Sequence, residues 1–472
     1  MTEASQSSRF YLSCIVLGAS LLTGCKVGPN YARPAVTAPP AFRGSDNAPV
    51  SSQGSSLGEE QWSAVYREPE LQQLIKTALV NNYDVRIAAQ RILEQQAQVR
   101  IVRSQEFPTV SVGGTAIGAS LPSSLDKQIG SPLVEGSFSL SAAWTPDFWG
   151  LYRRQTEAAR AQLLAQVWAQ RAVRLTLVEQ VATLYFQLRA LDRQLEITQA
   201  TIKVRQDSLN LTKTLESGGS VPLSDVRQAE QLLYTATSQV PQIEEEIQQS
   251  ENSLDVLLGQ NPGPIAHTDP NALAPPPQDL PTGLPSQLLE RRPDIQQAEA
   301  TLIAANAQIG VARAQFFPNL SISASGGVGG DSLSSIFDTS GKTIYGLGTL
   351  TQPIFEGGKL RGQLRLSEET KQEMVLNYEK TITQAFRDVS NALIALKKQR
   401  AYREQEEKLV AAAEDSVRLA RVRYQGGSTG YLEVLTNDSN LYAAQLNLVV
   451  AQQNEALTIV QLYGALGGGW QS

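Results

Sequence analysis

Cys25 is the residue best placed to do chemistry, because it closes the tetrad Leu22-Thr23-Gly24-Cys25 at the end of a short apolar segment. That is the pattern a bacterial lipidating machinery reads, and its product would be an S-diacylglycerol, N-palmitoyl cysteine. Arg9 supplies a thin positive start, Tyr11 to Leu22 form an apolar run of 12 residues, and small residues before the cysteine suit a peptidase. A run this short cannot cross a hydrocarbon core, which needs about 20 residues. Cys14 would leave with the signal, so the mature chain would keep one thiol and no disulfide. One acyl chain binds membrane marginally, whereas several anchor it stably. Lys26 follows the cysteine where an acidic residue would favour inner-membrane retention, so outer-membrane sorting is expected.

Few other residues invite chemistry. The single histidine, His267, sits at the start of a Pro-rich stretch with no Cys or His nearby, which reads as a solvated linker residue rather than a metal ligand. Neither a Walker A sequence nor a G-x-S-x-G elbow occurs. Gly326, Gly327, Gly329 and Gly330 lack the Lys-Ser/Thr of a phosphate loop and read as a flexible turn at a strand end. No catalytic residues, no cofactor and no metal are therefore expected. A net charge of −6 without a basic cluster argues against nucleic acid.

The elements that carry these residues are written twice. Asp84 and Asp294 differ by 210 positions, as do Phe107-Pro108 and Phe317-Pro318; Phe148 and Gly150 recur at 207, and Gly218-Gly219 and Leu258-Gly259 at 208. Each copy contains a long stretch free of Gly and Pro, 151 to 217 and 363 to 425. As continuous helix the first would be about 100 Å long at 1.5 Å per residue. Apolar spacing is heptad-like: Leu177, Val181, Leu184, Leu188, Leu191 and Leu195 in one copy; Ile382, Phe386, Val389, Leu393 and Leu396 in the other. These residues should pack rather than catalyse. Gly218-Gly219 and Gly426-Gly427 suit left-handed helix ends, and shorter helices follow, roughly Pro222 to Leu258 and Gly430 to Leu466.

Between the helices the period changes to two. Val110, Val112, Gly114 and Ala116, then Phe138, Leu140, Ala142 and Trp144, alternate for the most part with small polar residues; Leu320, Ile322 and Ala324 repeat the pattern, and 343 to 352 follow it more roughly. Ser120 to Val134 and Val328 to Lys342 read as the loops at the hairpin ends. Such strands fit either a soluble half-buried sheet or a membrane barrel. The lipid anchor, and the lack of 18 consecutive apolar residues after position 25, favour the barrel. Four strands cannot close one, since single-chain membrane barrels begin at about 8, so several protomers must share it.

The residues now match a known group: the chain resembles the NodT/OprM outer-membrane efflux lipoproteins, relatives of the TolC-type channels. The resemblance rests on Cys25-Lys26-Val27-Gly28-Pro29-Asn30-Tyr31 with Arg33-Pro34, on Arg291-Arg292-Pro293-Asp294-Ile295 with Ala298-Glu299, and on Phe316-Phe317-Pro318. Gln352-Pro353-Ile354-Phe355 with Gly357-Gly358, and Arg423-Tyr424 with Gly427 and Tyr431-Leu432, add to it. It implies a homotrimer whose protomers each give four strands to a twelve-stranded outer-membrane barrel, with the helices forming a periplasmic tunnel. It further implies a passive, non-enzymatic duct in a tripartite pump, docking through a periplasmic adaptor onto an RND-type inner-membrane transporter and exporting drugs or other amphiphiles. In such a group the periplasmic end is narrowed by a leucine and an acidic residue four positions later. Leu432 matches the leucine, Thr436 stands at the later position, and Asp438, beside Asn437, is the candidate for a displaced negative ring.

The expected class is thus a mixed membrane α+β protein, internally duplicated, contributing to a shared trimeric β-barrel and a coiled-coil α-barrel. Its expected divisions are a signal peptide (1–24), a lipid-anchored tether (25–60), a first repeat (61–265), a Pro-rich linker (266–283), a second repeat (284–467) and a tail (468–472). The rival reading is a lipid-anchored periplasmic coiled-coil spacer without a channel.

Overall fold

The computed structural model describes residues 26–45, 56–119, 133–267, 283, 285–330, 342–468 and 470. Cys25 lies outside them, as do 120–132, 331–341 and most of the 266–283 stretch. In chain order the elements are α1 (Trp62–Val65), α2 (Pro69–Asn81), α3 (Tyr83–Ser104), β1 (Thr109–Ala119), β2 (Leu133–Trp144), α4 (Leu151–Ser217) and α5 (Leu223–Leu258). They continue as α6 (Pro285–Arg291), α7 (Pro293–Ala314), β3 (Asn319–Gly330), β4 (Lys342–Thr351), α8 (Lys359–Gln425) and α9 (Tyr431–Ala465). The chain forms two compact units, Met1–Ala35 with Ile92–Gln166 and Ala298–Tyr378, and Val36–Arg91 with Val167–Gln297 and Glu379–Ser472. Each unit draws on both sequence repeats.

The first unit holds one antiparallel sheet in the order β1-β2-β3-β4. Its register lines up Val112 with Leu140, Leu140 with Gly326 and Gly326 with Ile344, and in the next row Val110 with Ala142, Ala142 with Ala324 and Ala324 with Gly346. Partners across an antiparallel ladder share a face. One face is therefore apolar across all four strands, as far as Lys342 at the start of β4. The other carries Ser111, Ser139, Ser141, Ser323, Ser325 and Thr349, interrupted by Tyr345 and Leu347 of β4, the two residues that roughen its alternation.

Two expectations fail here. The strands run further than the alternation suggested: Leu133 and Val134 belong to β2, Val328 to Gly330 to β3 and Lys342 to β4, so the segments between strands are shorter than Ser120 to Val134 and Val328 to Lys342. The glycines at 326 to 330 are likewise strand, not turn, and they pair with Gly136 to Leu140. A Cβ on Gly327 would stand 2.5 Å from the Phe138 carbonyl oxygen, so the strands meet closely at a residue without a side chain.

In the second unit the hairpins α4–α5 and α8–α9 close on matching turns. Gly219 and Gly427 have φ of +73° and +71°. Ser220 N–H donates to Leu215 O (2.9 Å) and Gly219 N–H to Glu216 O (2.8 Å); Ser428 and Gly427 repeat this on Arg423 and Tyr424 at 2.9 and 3.0 Å. This is the Schellman arrangement, satisfying carbonyls that the helix leaves without partners. Gly259 and Gly467 end α5 and α9 in the same way. Val181 and Leu188, and their counterparts Val389 and Leu396, are buried as the heptads require. Near the turns Leu209, Val226, Leu233, Ala420, Tyr431 and Val434 form a core that joins both hairpins.

The repeat extends to polar fastenings. Asn82 accepts from Asp84 N–H (2.8 Å) to start α3 and donates to Leu257 O at the end of α5 (2.9 Å). Arg292, 210 positions on, donates to Ala465 O at the end of α9 (3.2 Å). The two acceptors are themselves 208 apart, so the same tie is made twice with different donors.

Candidate functional site

Three places carry the residues singled out in the sequence. The first is the apolar face of the sheet. Val110, Val112, Phe138, Leu140, Ile344 and Leu350 are all exposed, although they lie on the face that the sequence makes apolar. Where the strands meet the helices, Phe107, Phe317, Ile354 and Phe355 are also exposed, while Trp149 stacks on Phe317 (centroids 4.7 Å apart) and donates to Pro318 O at 2.8 Å. A band of exposed apolar side chains bordered by aromatic residues is the surface expected of a strand set facing lipid. At 10 to 12 residues each strand is long enough to span, a tilted membrane strand needing about 9 to 11. No helix among the described residues is long and apolar enough to cross a membrane.

The second place is the docking of the segment that follows Cys25. Val27 N–H donates to Trp149 O (3.1 Å). Arg154, near the start of α4 and only 1% exposed, donates to Val27 O (3.0 Å), Gly28 O (3.0 Å) and Asn30 Oδ1 (3.2 Å), and pairs with Glu157. Burial works against ionising Glu157, yet Lys26 and Arg154 hold its carboxyl below the usual range. Gly28 has φ of +100°, and a Cβ on it would meet Gly310 Cα at 2.5 Å, so only glycine fits. Further along, Asn306 donates to Pro29 O (3.0 Å), and Tyr31 and Arg33 both donate to Glu299. Burial first, then the Glu299 carboxylate, pushes the Tyr31 hydroxyl well above its ordinary range. The residue next to the acylation candidate is thus fixed beside Trp149, at the helix end of the strands.

The third place is the start of α9. Leu432, 66% exposed, and Thr436 stand on its solvent face, followed by Asn440, Ala443, Asn447 and Val450 at steps of three and four. This stripe is uncharged. Every charge on α9 is paired instead: Glu433 with Arg423 (2.7 Å), Glu455 with Arg400 (3.1 Å) and Arg403, and Asp438 with Arg205 (2.9 Å) and Arg421 (3.5 Å). Asp438 differs from expectation in that its side chain is 13% exposed and turned onto Arg205, 5% exposed, rather than out with Leu432 and Thr436. Arg205 also donates to Leu232 O (2.8 Å) and lies over the Tyr442 ring. The tip thus separates a neutral exposed face from a buried ionic fastening.

Sequence reasoning missed Arg205, Arg154 and Glu179. Glu179 is half-buried in a groove with Arg292 and Asp388, and desolvation first, opposed by Arg292 and aided by Asp388, pushes its carboxyl up to about 7. Gly464 makes room for it, since a Cβ there would fall 1.2 Å from a Glu179 carboxylate oxygen. The pairing of Gly464 with Glu179 had no local signal. Arg154 was detectable only as an arginine in a helix's first turn, where positive charge is unfavourable without a partner.

The geometry agrees with known proteins along nearly the whole chain. The family model described as outer membrane efflux protein matches residues 74–260 and 284–468. The probable efflux pump outer membrane protein TtgC of Pseudomonas putida is 36% identical over 467 residues, covering 97% of this chain and 96% of that protein. The cation efflux system protein CusC of Escherichia coli O6:H1 is 34% identical over 459 residues, covering 97% and 98%. Among solved structures, the open state of the Neisseria gonorrhoeae MtrE outer membrane channel superposes with a TM-score of 0.84 at 28% identity, covering 95% of this chain and 99% of that one. Long helices with a small antiparallel sheet are the fold of these channels, and a coiled-coil spacer without a channel has no counterpart among them. The chain belongs to the outer membrane efflux protein family.

Proposed function

We propose that this outer membrane efflux channel works as a trimer in which three four-stranded sheets close one twelve-stranded barrel. The observation that carries the reading is the sheet itself: four strands with one continuous apolar face and with β1 and β4 at its edges, too few to close a barrel and too exposed to stand alone. In this reading the duct is passive and non-catalytic, and it receives amphiphilic cargo from an RND-type inner-membrane transporter through a periplasmic adaptor. The names of the relatives, which include toluene, antibiotic and cation efflux proteins, support an efflux cargo without choosing among these classes.

Cys25 is the lipid attachment point, after a signal of residues 1–24 and ahead of a tether reaching residue 60. The docking of Lys26 and Val27 beside Trp149 supports it, because acyl chains on the preceding residue would begin at the aromatic border of the strands. The linker 266–283, the repeats 61–265 and 284–467 and the tail 468–472 complete the organisation. Leu432 and Thr436 line the periplasmic constriction as an uncharged ring, and Asp438 acts behind them by fastening α9 to α4 through Arg205.

Reconstitution tests the reading. The purified protein should run in detergent as a heat-resistant trimer and conduct ions in planar bilayers. Cys25→Ser should lose acylation while a fraction still assembles in the membrane; its complete release as a soluble monomer would defeat the barrel.

A further inference from the structure

His267, expected as a solvated linker residue, is held from both sides and its side chain is 20% exposed. Residues 260–267 leave α5 and return along the α4–α5 hairpin as an extended strap. Gly263 N–H donates to Asp255 Oδ2 (2.7 Å) and Ile265 N–H to Glu251 Oε1 (3.0 Å), so alternate residues present their donors to the same row of acids. At the third rung His267 Nδ1 lies 2.8 Å from Asp192 Oδ2 and Nε2 lies 3.3 Å from Glu251 Oε1. Arg189 donates to the His267 carbonyl and to Asp192.

We propose that His267 is a proton-operated clasp fastening this strap to the hairpin. A neutral imidazole has one N–H and one lone pair, so it can serve only one of two flanking carboxylates and turns its lone pair on the other. The imidazolium donates to both. Among the described residues, the charged groups that face the ring are Asp192 and Arg189 from α4 and Glu251 from α5; the strap, Gln260 to Ala266, brings none.

The direction of the pH effect follows. The hydrogen bond to Asp192, against the opposing effect of burial, raises the imidazole above its ordinary 6.5. A raised value means that the clasp is complete below 6.5 and is lost as pH rises through the raised value. The rungs at Gly263 and Ile265 use backbone donors and do not titrate on the donor side, so release in alkali is confined to the end of the strap.

Because the chain has one histidine, its protonation can be read alone. Deuterium exchange at the imidazole C2–H, followed by mass spectrometry on the full-length protein in detergent, should give a midpoint above 6.5, and Asp192→Asn should bring it back toward 6.5. Amide exchange at Ala266 and His267, corrected for its intrinsic pH dependence, should step up at least fivefold across that midpoint. His267→Gln should show fast exchange there at every pH; should that variant fail to assemble, Asp192→Asn and the wild type carry the test. A wild-type midpoint at or below 6.5, a midpoint that Asp192→Asn does not lower, or strap exchange without a step where the ring titrates would each overturn the clasp.

Discussion

Asp438→Asn is the sharpest test of the tip. The substitution keeps the side chain's size and one acceptor oxygen but removes the charge that Arg205 pairs with at 2.9 Å. Both partners are nearly enclosed, at 5% and 13% exposure, so solvent screening is limited. Orphaning one member of a buried pair costs about 3–5 kcal/mol, whereas a hydrogen bond to a charged group contributes about 1.5–3. Arg205 would keep the Leu232 carbonyl and the Tyr442 ring, and the substituted amide would keep an acceptor, which places the loss near the lower range, about 2 kcal/mol. At about 1.4 kcal/mol per decade that is roughly a 30-fold shift in the equilibrium between fastened and released α9.

Two measurements read it. Amide exchange in 431–442 should quicken by about 10- to 100-fold, and open probability in planar bilayers should rise. A double-mutant cycle with Arg205→Gln isolates the pair and should give a coupling of about 1.5–3 kcal/mol. Coupling below about 0.5 kcal/mol, together with unchanged exchange and gating, would refute the assignment of Asp438 and Arg205 as the fastening of the tip.

Thr436→Asp should turn the proposed uncharged constriction into an acidic one, seen as a shift of the bilayer reversal potential toward cation selectivity under a salt gradient; an unmoved potential would place Thr436 off the conduit. Gly327→Val should disrupt the β2–β3 pairing, because the added Cβ meets the Phe138 carbonyl at 2.5 Å, and should abolish the heat-resistant trimer. Glu179→Gln probes the half-buried carboxyl. Its rise from 4.5 to about 7 corresponds to about 3 kcal/mol, so between these values wild-type stability should fall as pH rises, and the glutamine variant should show a flatter pH profile in thermal unfolding.

The helical part of the fold was legible because its determinants are local. A heptad stripe fixes which face is buried, and a glycine at a left-handed helix end fixes where the chain turns; accordingly α4 ends at Ser217 and α8 at Gln425, each just before its glycine pair. Strand extent was harder. Gly326 to Gly330 carry strand geometry without strand propensity, and their pairing comes from Gly136 to Leu140, nearly 200 residues away. His267 was misread for a related reason: the residues before it, Pro262 to Ala266, carry no charge, while its partners are residues 192 and 251 on two helices.

The sequence by itself determined the duplication, the two helical hairpins, the four alternating strands and the acylation motif. These follow from period, spacing and residue type, which fix the local backbone and the face that each side chain takes. Only the tertiary structure decided where charge goes. It turned Asp438 inward to Arg205 across 233 positions, set Arg154 under the segment that follows Cys25, placed Glu179 against Gly464 and closed His267 between two acids. A carboxylate and its cation interact through space, at distances of about 3 Å that depend on helix packing rather than on chain order. No local pattern in the sequence encodes that distance.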